Sequence, residues 1–179
     1  MRLFTALNLP ADLRSEIAAL RDPDALDARW TAPDQYHVTL RFLGETDPDT
    51  AERMAARLDQ VQAPVVEGTP YGLDVLPSRR RPSVLVVGLE RTDPLLTLYE
   101  AVSDALEAEG LAPEDRTYRP HVTLARVRDV PAEAVHRFLV DHEADGLPSF
   151  RAESFHLYES TLTPDGAVHE QRRTYPLGA

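Results

Sequence analysis

His37-Val38-Thr39-Leu40 decides how this chain is read, because the same four residues return as His121-Val122-Thr123-Leu124 in the other half of a 179-residue protein. Histidine occurs only six times, and a chance repeat beginning with so scarce a residue is expected in on the order of one such chain in a hundred. The repeat is therefore taken as real. The two-residue period of a strand puts His37 and Thr39 on one face and Val38 and Leu40 on the other, and divides His121, Thr123, Val122 and Leu124 in the same way. One face is apolar and packs; the other offers an imidazole beside a hydroxyl. If the halves are related by an approximate two-fold, these polar faces meet across a cleft and present two imidazoles to one substrate. Phosphodiester cleavage needs such a pair, one group to deprotonate the attacking oxygen and one to protonate the leaving oxygen.

Working outward from the motifs, alternating strands and helices fill the chain. Arg2–Leu9 reads as a strand and Pro10–Arg21 as a helix with Leu13, Ile17 and Leu20 at helical spacing. Asp22–Asp34 reads as loop, Tyr36–Leu43 as the first motif strand closed by Gly44, and Asp47 as the cap of a helix burying Met54, Leu58 and Val61. Val65–Leu76 reads as strand with a turn near Gly68-Thr69-Pro70, and Pro77–Pro82 connects it, hairpin-like, to the apolar strand Ser83–Leu89. A helix from Asp93 to Glu109 buries Leu95, Leu98, Val102 and Leu106 and stops at Gly110. Tyr118–Val127 is the second motif strand, and Val130–His142 a helix with Val135, Phe138 and Leu139 inward. Phe150–Tyr158 and Val168–Tyr175 close the chain around the turn Thr163-Pro164-Asp165-Gly166. Strand pairs joined by short turns favour antiparallel sheets, hence an α+β class. The expected architecture is bilobal and pseudo-two-fold, with two mostly antiparallel sheets flanking a central cleft and helices outside. No linker divides residues 1–179, which are expected to form one domain with a motif in each half.

Composition narrows the chemistry. With no cysteine there is no thiolate metal site, Cys nucleophile or disulfide framework, which suits a cytoplasmic protein. Met1–Pro10 lacks the apolar core of a signal peptide and no run reaches transmembrane length. Net charge is −11, with arginine as the only fixed cation on the side chains, so a long polyanion is repelled while a small anionic end-group can still be gripped locally. Arg79-Arg80-Arg81 could guide an RNA strand, although a short charge cluster in a turn is more often merely solvated. His136, His142, His156 and His169 lack matching partners and are assigned structural or surface places.

Two His-x-Thr motifs on strands, one in each half, resemble the two-histidine phosphoesterase superfamily. Arg2-Leu3-Phe4-Thr5-Ala6-Leu7-Asn8-Leu9-Pro10 resembles its opening strand. Trp30-Thr31-Ala32-Pro33 with His37–Glu45 resembles the first motif block, Arg119–Arg126 the second, and Tyr158-Glu159-Ser160 with Tyr175-Pro176-Leu177 the closing strands. The subgroup indicated is the RNA 2′,3′-cyclic phosphodiesterases, historically the bacterial and archaeal 2′-5′ RNA ligases. The resemblance implies hydrolysis of a terminal 2′,3′-cyclic phosphate to a 2′-phosphomonoester, with slow reverse 2′-5′ ligation in some members and no metal or nucleotide cofactor. It implies His37 as acid and His121 as base, Thr39 and Thr123 as hydroxyl donors, and Arg126 as a phosphate-binding residue.

Strict alternation puts Arg126 on the face opposite His121, so the strand must bulge or end before it, or the side chain must reach round the rim. Phe42, at the same offset from His37, could stack a terminal base or be an ordinary core aromatic. Arg119 is a second candidate for phosphate contact. The implied partners are RNA 3′ ends bearing 2′,3′-cyclic phosphate, tRNA fragments among them, or nucleoside 2′,3′-cyclic phosphates, bound by a monomer without a membrane. Three rivals remain: another branch of the superfamily acting on cyclic nucleotides, ADP-ribose cyclic phosphate or RNA 3′ ends; a non-catalytic RNA-end binding module; and metal-assisted hydrolysis.

Overall fold

Each motif tetrapeptide opens a strand at the middle of one antiparallel sheet. The computed structural model describes residues 1–164 and 166–178. In chain order these form β1 (Arg2–Asn8), α1 (Ala11–Ala18), β2 (Arg29–Trp30), β3 (His37–Glu45), α2 (Pro48–Leu58), β4 (Val66–Gly68), β5 (Pro70–Ser78), β6 (Arg81–Leu89), α3 (Asp93–Glu107), β7 (His121–Arg126), α4 (Ala132–Asp141), β8 (Phe150–Ala152), β9 (Ser154–Thr163) and β10 (Gly166–Pro176). The large sheet runs β10-β9-β1-β3-β7-β6-β5, with β2 added beside β7, while β4 and β8 form a second sheet of two strands. The fold is α+β, as expected, and every pairing is antiparallel. Strands β3 and β7 join the halves at one residue pair, Val38 with Val122.

The helices follow the apolar spacing closely. In α2 the Asp47 carboxylate accepts the Thr50 N–H at 3.0 Å, Pro48 stands in the first turn, and Ala51, Met54, Ala55 and Leu58 are buried. All four anticipated residues of α3 are buried, and Gly110 follows with φ +95°. Helix α1 is shorter than expected, because its apolar face holds only Leu13 and Ile17 and the chain turns off after Ala18. In α4 Val135 and Phe138 are buried, and Leu139 only partly.

One local expectation needs correcting. The segment read as loop from Asp22 to Asp34 contains β2 and a 3-10 turn, Pro33–Gln35, which two residues of side-chain pattern cannot announce. The turn expected near Gly68-Thr69-Pro70 falls where the chain changes sheets: Gly68 pairs with Phe150 in the small sheet, and Pro70 begins β5 in the large one. In the closing hairpin Thr163 pairs with Gly166, while Asp165 of the anticipated turn lies outside the described residues. Among the described residues no helix is long and apolar enough to cross a membrane.

Candidate active site

Both motif strands leave strict alternation at the same place. Along β3 Val38 and Leu40 are buried as expected, but Arg41 is buried too and Phe42 is exposed. Opposite, Ala6 pairs with Thr39 and Thr5 with Arg41, so Leu40 is the extra residue of a bulge. Strand β7 repeats the pattern: Val86 pairs with Thr123 and Leu85 with Ala125, leaving Leu124 as the extra residue. Each bulge restores the cleft face two residues later. Arg126 therefore shares a face with His121 and Thr123, and Phe42, 63% exposed, shares one with His37 and Thr39.

The bulges are secured differently. The buried Thr5 hydroxyl accepts the Arg41 N–H at 3.1 Å and donates to the Arg41 carbonyl at 3.4 Å. The Arg41 side chain then runs beneath the sheet to Glu107 at 3.0 Å and the Ala112 carbonyl at 2.9 Å, tying β3 to the end of α3. In β7 the carbonyl of the extra residue, Leu124, accepts from Thr31 N–H at 2.9 Å, which is the work of the short β2 segment. The Tyr118 hydroxyl donates to the Thr39 carbonyl at 2.9 Å and so links the second motif block to the first strand.

The two imidazoles are held in the same way. Nδ1 of His37 lies 2.8 Å from the Gln35 carbonyl, and Nδ1 of His121 lies 2.6 Å from the Arg119 carbonyl. A carbonyl only accepts, so Nδ1 carries the hydrogen in both rings and Nε2 is left for proton transfer. The Thr39 hydroxyl lies 3.1 Å from His37 Nε2. Antiparallel pairing at Val38 and Val122, extended by one residue each way, sets His37 opposite Thr123 and Thr39 opposite His121. The four motif groups thus fall at the corners of one small patch.

Their surroundings differ. His37 belongs to a ring cluster: Phe4 lies 4.9 Å away, Tyr158 stacks on Phe4 at 5.3 Å, and His169 meets His37 edge-on at 5.4 Å. Burial, before any neighbouring charge, pushes His37 down to about 4, with His169 and His121 adding to the effect and the Gln35 carbonyl opposing it. His121 is also lowered, chiefly by burial and further by the charges of Arg119 and Arg126. Both rings are therefore neutral near pH 7 in the unliganded protein.

Arg126 makes no ion pair among the described residues and lines a depression of about 250 Å³ with Asp27, Arg29 and Arg128. Arg119 is engaged: its guanidinium donates to the Pro77 carbonyl at 3.1 Å and reaches Asp74 at 3.4 Å, where Tyr71 also donates. Tyr71 lies over Gly88, the partner of His121 on β6, where any Cβ would collide with its ring.

Of the unmatched histidines, His142 pairs with Asp22 and stacks on Phe138, His156 bonds Ser154 and Thr174, and His136 meets the Arg79 carbonyl. His169 does not fit the structural or surface place assigned to it. Strand β10 carries it onto the ring cluster against His37, with a buried Nδ1 that has no partner in the protein. Tyr158, Asn8 and Arg14 share that neighbourhood; none is a candidate site residue on the sequence alone, where Asn8 and Tyr158 enter only within the opening- and closing-strand resemblances. Among the described residues no group of three or more His, Asp or Glu is placed to hold a metal ion.

Comparison with known proteins places this geometry in context. Residues 9–163 match the 2′-5′ RNA ligase superfamily. The chain is 32% identical to the RNA 2′,3′-cyclic phosphodiesterase of Thermus thermophilus, over 99% of this chain and 90% of that protein. With the enzyme of the same name from Thermotoga maritima it shares 29% identity, over 95% of this chain and 92% of the other. The solved Thermus thermophilus protein TT0787 superposes with a TM-score of 0.78 at 25% identity, covering 98% of this chain and 97% of that one. Apo LigT of E. coli superposes at 0.77, covering 99% and 98%, and at 23% identity it speaks for the fold alone.

Proposed function

The chain belongs to the 2′-5′ RNA ligase superfamily, and from that premise we propose that it is an RNA 2′,3′-cyclic phosphodiesterase, opening a terminal 2′,3′-cyclic phosphate to a 2′-phosphomonoester. The observation that carries this is the matched pair of imidazoles, each with Nδ1 bonded to the carbonyl two residues upstream and Nε2 left for the substrate. Residues 1–179 act as one unit in which each half supplies one histidine, one threonine and one residue beyond the bulge.

The phosphate sits over the motif patch, with Thr39 and Thr123 donating to its non-bridging oxygens and Arg126 balancing its charge. His121 takes the proton of the attacking water through Nε2. His37 gives a proton through Nε2 to O3′, which departs in line with the attack. The asymmetry of the surroundings supports this division. Arg119 and Arg126 oppose a charge on His121, which suits a base. His37 is held neutral first by burial, and the arriving phosphate supplies the counter-charge that lets it carry a proton. The same groups in the same roles run 2′-5′ ligation when a 5′-hydroxyl attacks the cyclic phosphate in place of water, and microscopic reversibility lets them cleave that bond again. Phe42 offers an exposed ring on which a base of the RNA end stacks. Arg119 meets the phosphate only by leaving Asp74. The substrates are RNA 3′ ends with a cyclic phosphate, tRNA fragments among them, or the corresponding nucleosides, handled by a monomer in the cytoplasm.

The deciding experiment incubates the protein with a nucleoside 2′,3′-cyclic phosphate in excess chelator and identifies the monoester. The 2′ isomer at an undiminished rate is expected. Formation of the 3′ isomer would reverse the leaving group, and activity lost to chelator and restored by one divalent ion would replace the two-histidine reading with metal-assisted hydrolysis. Binding without turnover would leave an RNA-end binding module.

A further inference from the structure

Each imidazole is held by the carbonyl of a residue whose own side chain is tied to a distant strand. Gln35, which holds His37, donates its side-chain amide to the Ala167 carbonyl on β10. Arg119, which holds His121, donates to the Pro77 carbonyl at 3.1 Å and to Asp74 at 3.4 Å, both on β5. The first tether is neutral and the second is charged. A guanidinium beside an imidazole opposes its protonation: burial lowers His121 first, the Arg119 carbonyl works against that, and the charges of Arg119 and Arg126 lower the ring further. Arg126 makes no ion pair among the described residues, whereas Arg119 is paired, and its partner is Asp74.

Asp74 is itself fixed. Its Oδ1 accepts the Val75 N–H at 2.8 Å and its Oδ2 accepts the Tyr71 hydroxyl at 3.1 Å. The Tyr71 ring lies over Gly88, the β6 residue paired with His121, and the missing Cβ is what lets it close there. Pairing sets Asp74 opposite Val86 and Val86 opposite Thr123, so the Asp74 backbone stands two strands, about 10 Å, from the motif strand. The ionisable groups around His121 are Arg119 and Arg126 on its own segment, His37 on β3, and Tyr71 and Asp74 on β5 behind Arg119, while β6 presents Gly88. The carboxylate reaches the ring through Arg119.

We propose that Asp74 is a positioning residue for His121 and acts through Arg119: it fixes the guanidinium, which keeps the Arg119 carbonyl aimed at Nδ1, and it offsets the charge that would otherwise oppose protonation of the ring. The inference rests on the reading of His121 as the base that takes a proton from water. Arg119 is then a tether for that base and stays on Asp74 while the phosphate is bound by others.

The test is an NMR titration of the His121 ring, its resonance identified by loss from His121→Ala, in wild type, Asp74→Asn, Arg119→Met and the double variant, with turnover of a nucleoside 2′,3′-cyclic phosphate measured alongside. Asparagine keeps the Val75 bond through its oxygen and turns an amide N–H toward Arg119, so charge and tether go together. Asp74→Asn is expected to lower the titration midpoint of His121 by about half a pH unit and kcat by about two- to fivefold, with KM unchanged. In the Arg119→Met background the same substitution should move neither, because the link through which it acts is gone. An unmoved midpoint in Asp74→Asn, an equal shift in both backgrounds, or a KM that rises in Arg119→Met and makes that residue a phosphate ligand would each overturn the proposal while leaving the phosphodiesterase intact. A wild type that turns over no cyclic phosphate would instead bring down the catalytic reading, and the role of Asp74 with it.

Discussion

Strands β3 and β7 are built to one plan and set in opposite surroundings. Each begins at its histidine, anchors Nδ1 on the carbonyl two residues back, and bulges at the leucine of the tetrapeptide. Beyond the bulge one presents Phe42 and the other Arg126. Around His37 are Phe4, Tyr158 and His169; around His121 are Arg119 and Arg126. The backbone plan places two equivalent imidazoles, and the neighbours make them different. Equivalent geometry with unequal electrostatics lets a duplicated motif supply an acid and a base from the same side chain.

The sharpest way to break that comparison is to remove each histidine in turn. His37→Ala and His121→Ala should each lower kcat by about 10²–10⁴. The bell-shaped pH profile of wild type should lose different limbs: the acidic limb with His121→Ala, which removes the base, and the alkaline limb with His37→Ala, which removes the acid. The opposite pattern would exchange the roles. Wild-type turnover in either variant would end the two-histidine mechanism.

The positions beyond the bulges should separate next. Arg126→Met removes charge-assisted bonds to the phosphate and should cost about 10–100-fold in kcat/KM on every substrate bearing it. Phe42→Ala should cost about fivefold, expressed in KM and only where a base is present to stack. Equal, base-independent losses would mean that the two positions act alike and that the bulges serve packing alone.

How much of this the sequence announces depends on the range of the interaction concerned. The motif repeat, its flanks and the helical spacing of α2 and α3 are local patterns, and they lead to the strands, the histidines and the α+β class. The bulges are not local. Arg41 is buried because Thr5 and Glu107 receive it, and neither is near in sequence, so alternation alone sends Arg126 to the wrong face. The repeated offset of Phe42 and Arg126 was the available signal, since two residues at the same distance from two equal motifs invite one explanation. His169 and Arg14 were hidden for the same reason. His169 reaches His37 only through the pairing of β10 with β9 and of β9 with β1, Arg14 comes from α1 to line the cavity beside them, and nothing in the sequence neighbourhood of either marks it.

Stability against pH offers a test independent of turnover. The folded-state value of His37 is lowered from 6.5 to about 4, so below pH 6.5 the unfolded chain takes a proton that the folded one resists. The associated stability is complete above pH 6.5 and is lost as pH falls through 4, amounting to about 3 kcal/mol. Denaturant unfolding of wild type and His37→Asn at pH 7 and pH 4 measures it. The variant should lose less on acidification. Parallel losses would show that the ring cluster does not hold His37 neutral, and the contrast between the two histidines would shrink to the arginines alone.

The smallest effect expected is that of salt, and it asks whether the cations of the β7 side reach beyond the terminal phosphate. With a net charge of −11 the global field repels RNA, so binding comes from local contacts at the end of the chain. For single strands the logarithmic salt slope is roughly −0.7 for each phosphate neutralised, so two contacts weaken affinity by about sevenfold between 50 and 200 mM salt. A short and a long oligonucleotide with the same cyclic terminus, bound to His121→Ala to prevent turnover, should give the same shallow slope. The exposed Arg79, Arg80 and Arg81 at the β5–β6 turn stand ready to contradict this. His136 already fixes the Arg79 carbonyl of that turn, which would suit a docking edge as well as a solvated one. A slope that steepens with RNA length, and flattens when those three arginines are replaced by glutamine, would make the second half a track for the strand rather than a grip on its end.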